Sequence, residues 1–485
     1  MKNTLLVTLI VFLAAVVSAA RVWAYTDSVK SVSAPEKPYV LSTEPADSFI
    51  DKHFKKIPVF SDSIRMDLGG EFRYRMENRR DYDFRRTRHD NNAFSLFRTR
   101  FNSDTTFGKW GEFFIEFQDA HEANAKTQFQ GNAFVDYFDL RQAFFQLKWP
   151  EGDSRRLTGM KLVDHVIEHS KFRAGRQELY YGDQRFIGVF DWSNVSRTFD
   201  ALRYIYDDLK KRSVDLFWAQ VVKVHDHEMD ATDHGNNLLG VYWSEKWIPD
   251  NVIDTFMFVR LNDKIRYLSE QPPVPGGLRS GGPLAEFTLG NRWKGKYKRL
   301  DYGTEYALQF GRRGGDDITA VAFHQELGYT FPISCKLRPN VEYNFGSGDH
   351  NRRDGHYNIF DNLFPTNHDK YGLIDFASLQ NMNDVRVGCS VEPIERLKLA
   401  SSFHFFYLAD SASPWFSSGL SVIRAGNSSA SDTLGKEFDM VAWWQLSKHM
   451  KYSMGYSHWF SGPFVKDTGP HDDANFFYVQ TQVNW

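Results

Sequence analysis

The feature that most limits how this chain can fold is a period of two. In "KLRPNVEYNFG", Leu337, Val341, Tyr343 and Phe345 share one parity, and Lys336, Arg338, Asn340, Glu342 and Asn344 share the other. "FFYVQTQVNW" sets Phe477, Val479, Thr481, Val483 and Trp485 against Tyr478, Gln480, Gln482 and Asn484. "EFRYRME" sets Phe72, Tyr74 and Met76 against Glu71, Arg73, Arg75 and Glu77. Successive side chains of a strand point to opposite faces, so these runs predict strands with one oily and one wet face. From Met66 onward about eighteen such runs follow one another, a number within the range of bacterial transmembrane barrels. Pro339 lacks a ladder donor and predicts a bulge or a gap in pairing there.

The connections alternate in length. "DDLKK", "WIPD", "KGKYK", "VEPIE" and "SKHM" are short, whereas residues 79–92, 264–282, 347–380 and 410–434 are long and polar. A membrane barrel has this rhythm of short turns at one end and long loops at the other. Residues 151–170 break it, being long where a turn is due, with room for a short helix. Aromatics make up 16% of the chain, with 42 Phe and 13 Trp, yet the mean hydropathy is -0.49. A soluble sandwich or propeller would also alternate, but it explains neither that aromatic excess nor the loop rhythm. The expected fold is therefore all-β: a single-chain transmembrane antiparallel barrel of about 18 strands. A formal net charge of -2 argues against a general nucleic-acid binder.

At the N-terminus, Lys2, an apolar run from Leu5 to Val17 and small-residue patterns ending at Ala19 and Ala24 read as a secretory signal peptide over residues 1–24. Residues 25–58 read as a flexible lead-in and 59–485 as the barrel. Export to the oxidising periplasm permits a disulfide between the only two cysteines, Cys335 and Cys389, placed at neighbouring strand ends by the alternation.

A barrel of this size leaves an aqueous lumen, and the polar faces must line it. Those faces carry Arg73, Arg75, Arg98, Arg100, Arg338 and Arg386, with Arg141 and Arg176 as further candidates from less regular runs. A ladder of guanidiniums would pass a polyanion from fork to fork. The competing reading makes them ordinary lumen charges neutralised by Glu71, Glu77, Glu116 and Glu342. "HDHEMDATDH" (His225–His234) offers imidazoles and carboxylates for a cation, but reads better as a solvated loop tip, and no metal or cofactor is implied.

"FRAGRQELYYGDQRFIGVFDWSNVSRTFDALR", with "LRQAFFQLKW", "SSFHFFYLAD", "LGKEFDMV" and "IFDNLFPTNHDKYG", resembles the alginate export family of outer-membrane porins. These segments span most of the chain after the N-terminal region. The resemblance implies an 18-stranded barrel with an arginine-lined, electropositive constriction gated by long loops. Carried onto this chain, it implies that Arg141, Arg176, Asn194, Glu437 and Asp439 line the path. Lys451, His458, His368 and Lys370 stand where that family's pore presents arginines. The expected function is passive conduction of an anionic exopolysaccharide, alginate or a related polyuronate, from periplasm to exterior. Expected partners are the polymer, outer-membrane lipid and a periplasmic secretion scaffold, around a monomeric barrel. An uptake porin for small acids or sugars is the alternative, and an outer-membrane hydrolase, which would need a Ser/His/acid set on one lumen belt, comes behind it.

Overall fold

The computed structural model describes residues 54–59, 61–86, 91–126, 133–149, 160–208, 211–271 and 279–485. The expected signal peptide and nearly all of the expected lead-in lie outside them. Eighteen antiparallel strands form one closed barrel. They are β1 (Ser61–Arg80), β2 (Asn92–Phe107), β3 (Gly111–Ala123), β4 (Asp136–Lys148), β5 (Ser170–Gln177) and β6 (Phe199–Asp207). Next come β7 (Arg212–Lys223), β8 (Ala231–Glu245), β9 (Asn251–Leu268), β10 (Gly281–Tyr297), β11 (Leu300–Arg313) and β12 (Asp316–Tyr329). The ring is completed by β13 (Arg338–Gly346), β14 (Met382–Ile394), β15 (Leu397–Tyr407), β16 (Thr433–Gln445), β17 (Met450–Ser461) and β18 (Ala474–Asn484). Each strand pairs with its sequence neighbour, and β1 pairs with β18 from Glu71↔Asn484 to Arg80↔Asn475. Trp485 and Gly70 exchange backbone hydrogen bonds of 3.1 and 3.2 Å at the seam. Ile57–Val59, at the end of the stretch read as a lead-in, is a short strand antiparallel to β1.

Alternation does what a lipid-facing wall requires. On β13, Val341 and Tyr343 are exposed while Glu342 and Asn344 are buried, the reverse of a soluble core. Polar side chains find water and partners inside, and the apolar face is left for hydrocarbon. Pro339 makes no bulge. It stands opposite Cys389 on β14, and on the β12 side the ladder begins only at Asn340↔Gly328, so the missing N–H disturbs no bond there. Both cysteines are free. Cys335 lies before β13 begins, and it is Pro339 that faces Cys389, so the two thiols are not registered partners.

The connection between β4 and β5 holds the helix α1 (Lys161–Glu168), as its length suggested. β4 is irregular: Arg141 is an extra residue between the pairs Glu116↔Gln142 and Phe117↔Leu140, and a second slip spans Tyr137 and Phe138. This accounts for the broken alternation of "LRQAFFQLKW".

The lumen is not empty. The loops 178–198 and 347–381 fold into it and pack on inward-facing aromatics of β7, β8 and β9, among them Phe217, Tyr242, Phe256 and Phe258. On this side the barrel has an apolar core. Small inward residues elsewhere, such as Ala307 and Ala322, leave space that the loops fill.

Candidate functional site: the loop-filled constriction

β5 ends at Gln177, and the chain turns inward through Tyr181 and Phe186. The two inner loops then bind each other. Phe364 N–H donates to Phe186 O at 2.9 Å, Gly188 N–H to Phe364 O at 2.8 Å, and Thr366 N–H to Gln184 O at 2.9 Å. Arg197 donates from one nitrogen to Gly188 O and Pro365 O, one acceptor on each loop.

The arginines of β1 and β2 face inward and close on the first loop. Arg73 donates to Asp191 O at 2.6 Å and Ser193 O at 2.8 Å, and Arg75 to Trp192 O at 2.7 Å. Arg98 bonds Glu71 and ion-pairs with Asp191 at 3.0 Å; Arg100 reaches Asp191 at 3.1 Å and Ser196 Oγ at 2.9 Å. Arg141, turned in by its bulge, bonds Glu116, Glu178 and Ser196. Burial alone would raise the Asp191 carboxyl, but Arg98, Arg100, Arg73 and Arg141 hold it well below the usual carboxylate range. Asn194 is fully buried and is a latch: its amide donates to the carbonyls of Phe97, His121 and Phe134 while its oxygen accepts from Arg73. Five of the arginines read from alternation and resemblance thus meet at this loop, with most of their forks occupied by loop carbonyls and carboxylates.

The others stand apart. Glu342, on β13, collects Arg185 and Arg386, each at 3.3 Å, beneath Tyr371 of the second loop. Glu437 accepts Ile374 N–H at 2.9 Å and Ser457 Oγ–H at 2.9 Å, while Asp439 lies 3.6 Å from His404. Gly372 approaches Glu437 with φ +84°, and a Cβ there would collide with the carboxylate. Arg176 bonds Asp200, Leu140 O and Asp230 O in the wall. Arg338, at the turn end of β13, is held by Asp301 and Glu326. The candidate residues therefore form separate clusters around the two loops rather than one ladder.

Between the loops and β16–β18 remains a cavity of about 210 Å³, lined among others by Arg73, Trp192, Asp369, Lys451, Tyr478 and Gln482. Trp192 is gripped on its ring: the Arg75 guanidinium lies 3.8 Å from its centroid, and His368 stacks on it at 3.7 Å with planes 6° apart. Asp369 is exposed at the tip of the second loop with φ +70°. Lys451, which forms no ion pair among the described residues, faces the same space, as does His368; both were marked in the sequence as departures from the family's arginines. Lys370 stands beside Asp369 on the same loop tip. Asp369, Trp443 and Tyr478 had no distinguishing signal, since polarity and parity alone do not say where an inner loop will touch the wall.

The alginate export family model matches residues 64–479 of the chain. No curated protein matches it. Among solved structures, OccAB2 of Acinetobacter baumannii superposes with a TM-score of 0.58 at 9% identity, over 87% of this chain and 98% of that one. OpdO of Pseudomonas aeruginosa gives 0.55 at 9% identity, over 87% and 97%. The outer membrane protein OprD of the same organism gives 0.55 at 9% identity, over 87% and 93%. Identities this low speak for the fold alone. With its closed eighteen-stranded wall, its lipid-facing apolar belt and a family match running almost from seam to seam, this chain belongs to the alginate export family and is an outer-membrane β-barrel channel.

Proposed function

We propose that the channel passively conducts an anionic polysaccharide of the polyuronate type, alginate or a relative, from periplasm to exterior. The observation that carries this reading is the family match over residues 64–479. A polyuronate's carboxylates suit the cations around the remaining cavity, Lys451 and Arg73 on the wall. A lysine holds a carboxylate as a point charge rather than in a bidentate fork, which favours movement over capture. The polymer would enter from the turn end, the side of α1, where a periplasmic scaffold would dock, and leave past the displaced inner loops.

Uptake of small acids is the second reading. It is favoured by the near neutralisation of the wall arginines by Glu71, Glu77, Glu116 and Asp191, which leaves few positive charges for a long polyanion. Single-channel recording separates the two. Uronate oligomers added at the turn end should block the current for times that lengthen with chain length. Rapid permeation of the monomer, with no lengthening of block, would support uptake and overturn export.

A further inference from the structure

Strand alternation would put Asp136 and Asp139, three positions apart, on opposite faces of β4. The slip at Tyr137 and Phe138 undoes this. Both aromatic residues turn outward, Phe138 with φ +33°, and both aspartates turn inward, 2% and 1% exposed. β5 and β6, only 8 and 9 residues long, leave a notch in the loop end of the wall. The 224–230 loop leans across that notch onto β4. Tyr137 N–H donates to Asp226 O at 3.3 Å, and His227 stacks on Tyr137 at 4.9 Å. The same loop delivers Asp230, whose N–H donates to Asp139 Oδ2. One carboxylate oxygen from each of Asp136, Asp139 and Asp230 then lies within 4.8 Å of the others.

Little positive charge reaches this cluster: Arg176 and His225 act on Asp230 only from a distance. Among the described residues no lysine, arginine or histidine forms an ion pair with any of the three. Arg176, the nearest guanidinium, is turned to Asp200 and to the Asp230 carbonyl rather than to these carboxylates. Among the described residues, the buried Asp136 carboxylate takes a single long hydrogen bond, 3.4 Å, from Gln118 on Oδ2. Its Oδ1 has neither donor nor solvent, an orphaned buried acceptor of the kind that marks a missing ligand. Burial, with Asp139 adding to it, pushes the Asp230 carboxyl up to about 6. Buried like charges without a counterion are costly, and a cation is one of the few things that relieves them.

We propose that Asp136, Asp139 and Asp230 bind a divalent cation of the calcium class, which staples the 224–230 loop over the notch to β4. All three donors are carboxylate oxygens, which selects a hard cation over zinc or copper. They come from two segments in an irregular arrangement, which suits the flexible coordination of calcium better than the octahedron of magnesium. With waters completing the shell, an affinity on the order of 10⁻⁴–10⁻³ M is expected, the range of exposed extracellular sites. The site is independent of which solute passes the lumen.

The test uses the full barrel in detergent, with Tb³⁺ as a luminescent probe near Tyr137 and Ca²⁺ as competitor. Saturable Tb³⁺ emission, displaced by Ca²⁺, is expected from the natural chain. Asp136→Asn with Asp230→Asn should weaken it at least tenfold, and Asp317→Asn, an exposed carboxylate away from the cluster, should not. Ca²⁺ should also slow trypsin cleavage after Lys223 at the edge of the loop. No saturable emission, or equal affinity in the double variant, would overturn the site, and equal competition by Mg²⁺ would overturn the calcium assignment. If the double variant fails to show the heat-modifiable migration of a folded barrel, the natural chain decides alone: absence of Ca²⁺ protection at Lys223 refutes the staple.

Discussion

The Asp191 carboxylate sits between Arg98 and Arg100, 3.0 and 3.1 Å away, and ties the first inner loop to β2 at two points. Its folded-state pKa is depressed, so the charge stabilises the docked loop fully above the unfolded value of about 3.9 and loses that effect only as pH falls further. Open-channel current noise should therefore stay flat from neutral pH down to about 5 and rise only below about 4. Asp191→Asn should be noisy across the whole range, because two buried guanidiniums then lack their shared anion. A second residue tests the wall. Val387, 52% exposed on the apolar face of β14 opposite Val341, faces lipid. Val387→Arg should cost about 2–4 kcal/mol of folding stability in bilayers, read from urea unfolding, if the site lies near the midplane. The same change in detergent, where the belt is softer, should cost less.

At the level of elements, parity gave nearly all of the strands and failed where an element has two apolar faces or an extra residue. The "TFMFVR" part of β9 buries Phe256 and Phe258 inward while keeping Met257 on the other side, and alternation of polarity is absent because the inner face meets loops instead of water. β4 hid the Asp136/Asp139 pair, and left the inward face of Arg141 unfixed by alternation, because a bulge resets parity without a residue type that announces it. Parity likewise placed Arg73, Arg75, Arg98 and Arg100 inside, but an inward side chain can meet solvent or a folded-in loop, and only long-range contacts decide which. The "GRQELYYGDQRF" stretch was legible as part of the segment that resembles the family. Its role as half of a two-loop plug was not, since its partner lies nearly two hundred residues away, Ile187 bridging to Phe364. The plug has a weak point that can be pushed. Gly372→Ala adds a Cβ where φ is +84° and the Glu437 carboxylate already stands, so the tip of the second loop must shift. Conductance should rise by a factor of about two or more while barrel stability, read by heat-modifiable migration, changes little.

For the whole molecule, selectivity is the sum of charges that the clusters leave uncancelled. Lys451 is one of them, facing the cavity with no ion pair among the described residues. Lys451→Glu should reduce or reverse anion preference in reversal-potential measurements, most strongly at low salt. The effect should fade as salt rises, because the Debye length shrinks to about 10 Å at 0.1 M. Unchanged selectivity in Lys451→Glu would return the cationic reading of the cavity to the neutral one. The seam has a further consequence, in time rather than space. The ring closes between Glu71 and Asn484, so the contact that makes a tube out of a sheet joins the first strand to the last. Until that pairing forms, the arginines of β1 and β2 have no enclosed space to guard, and β1 is an unpaired edge waiting for a partner more than four hundred residues behind it. Such a molecule assembles slowly and late, and during that wait it depends on whatever keeps an open, sticky sheet from finding a stranger's edge instead of its own.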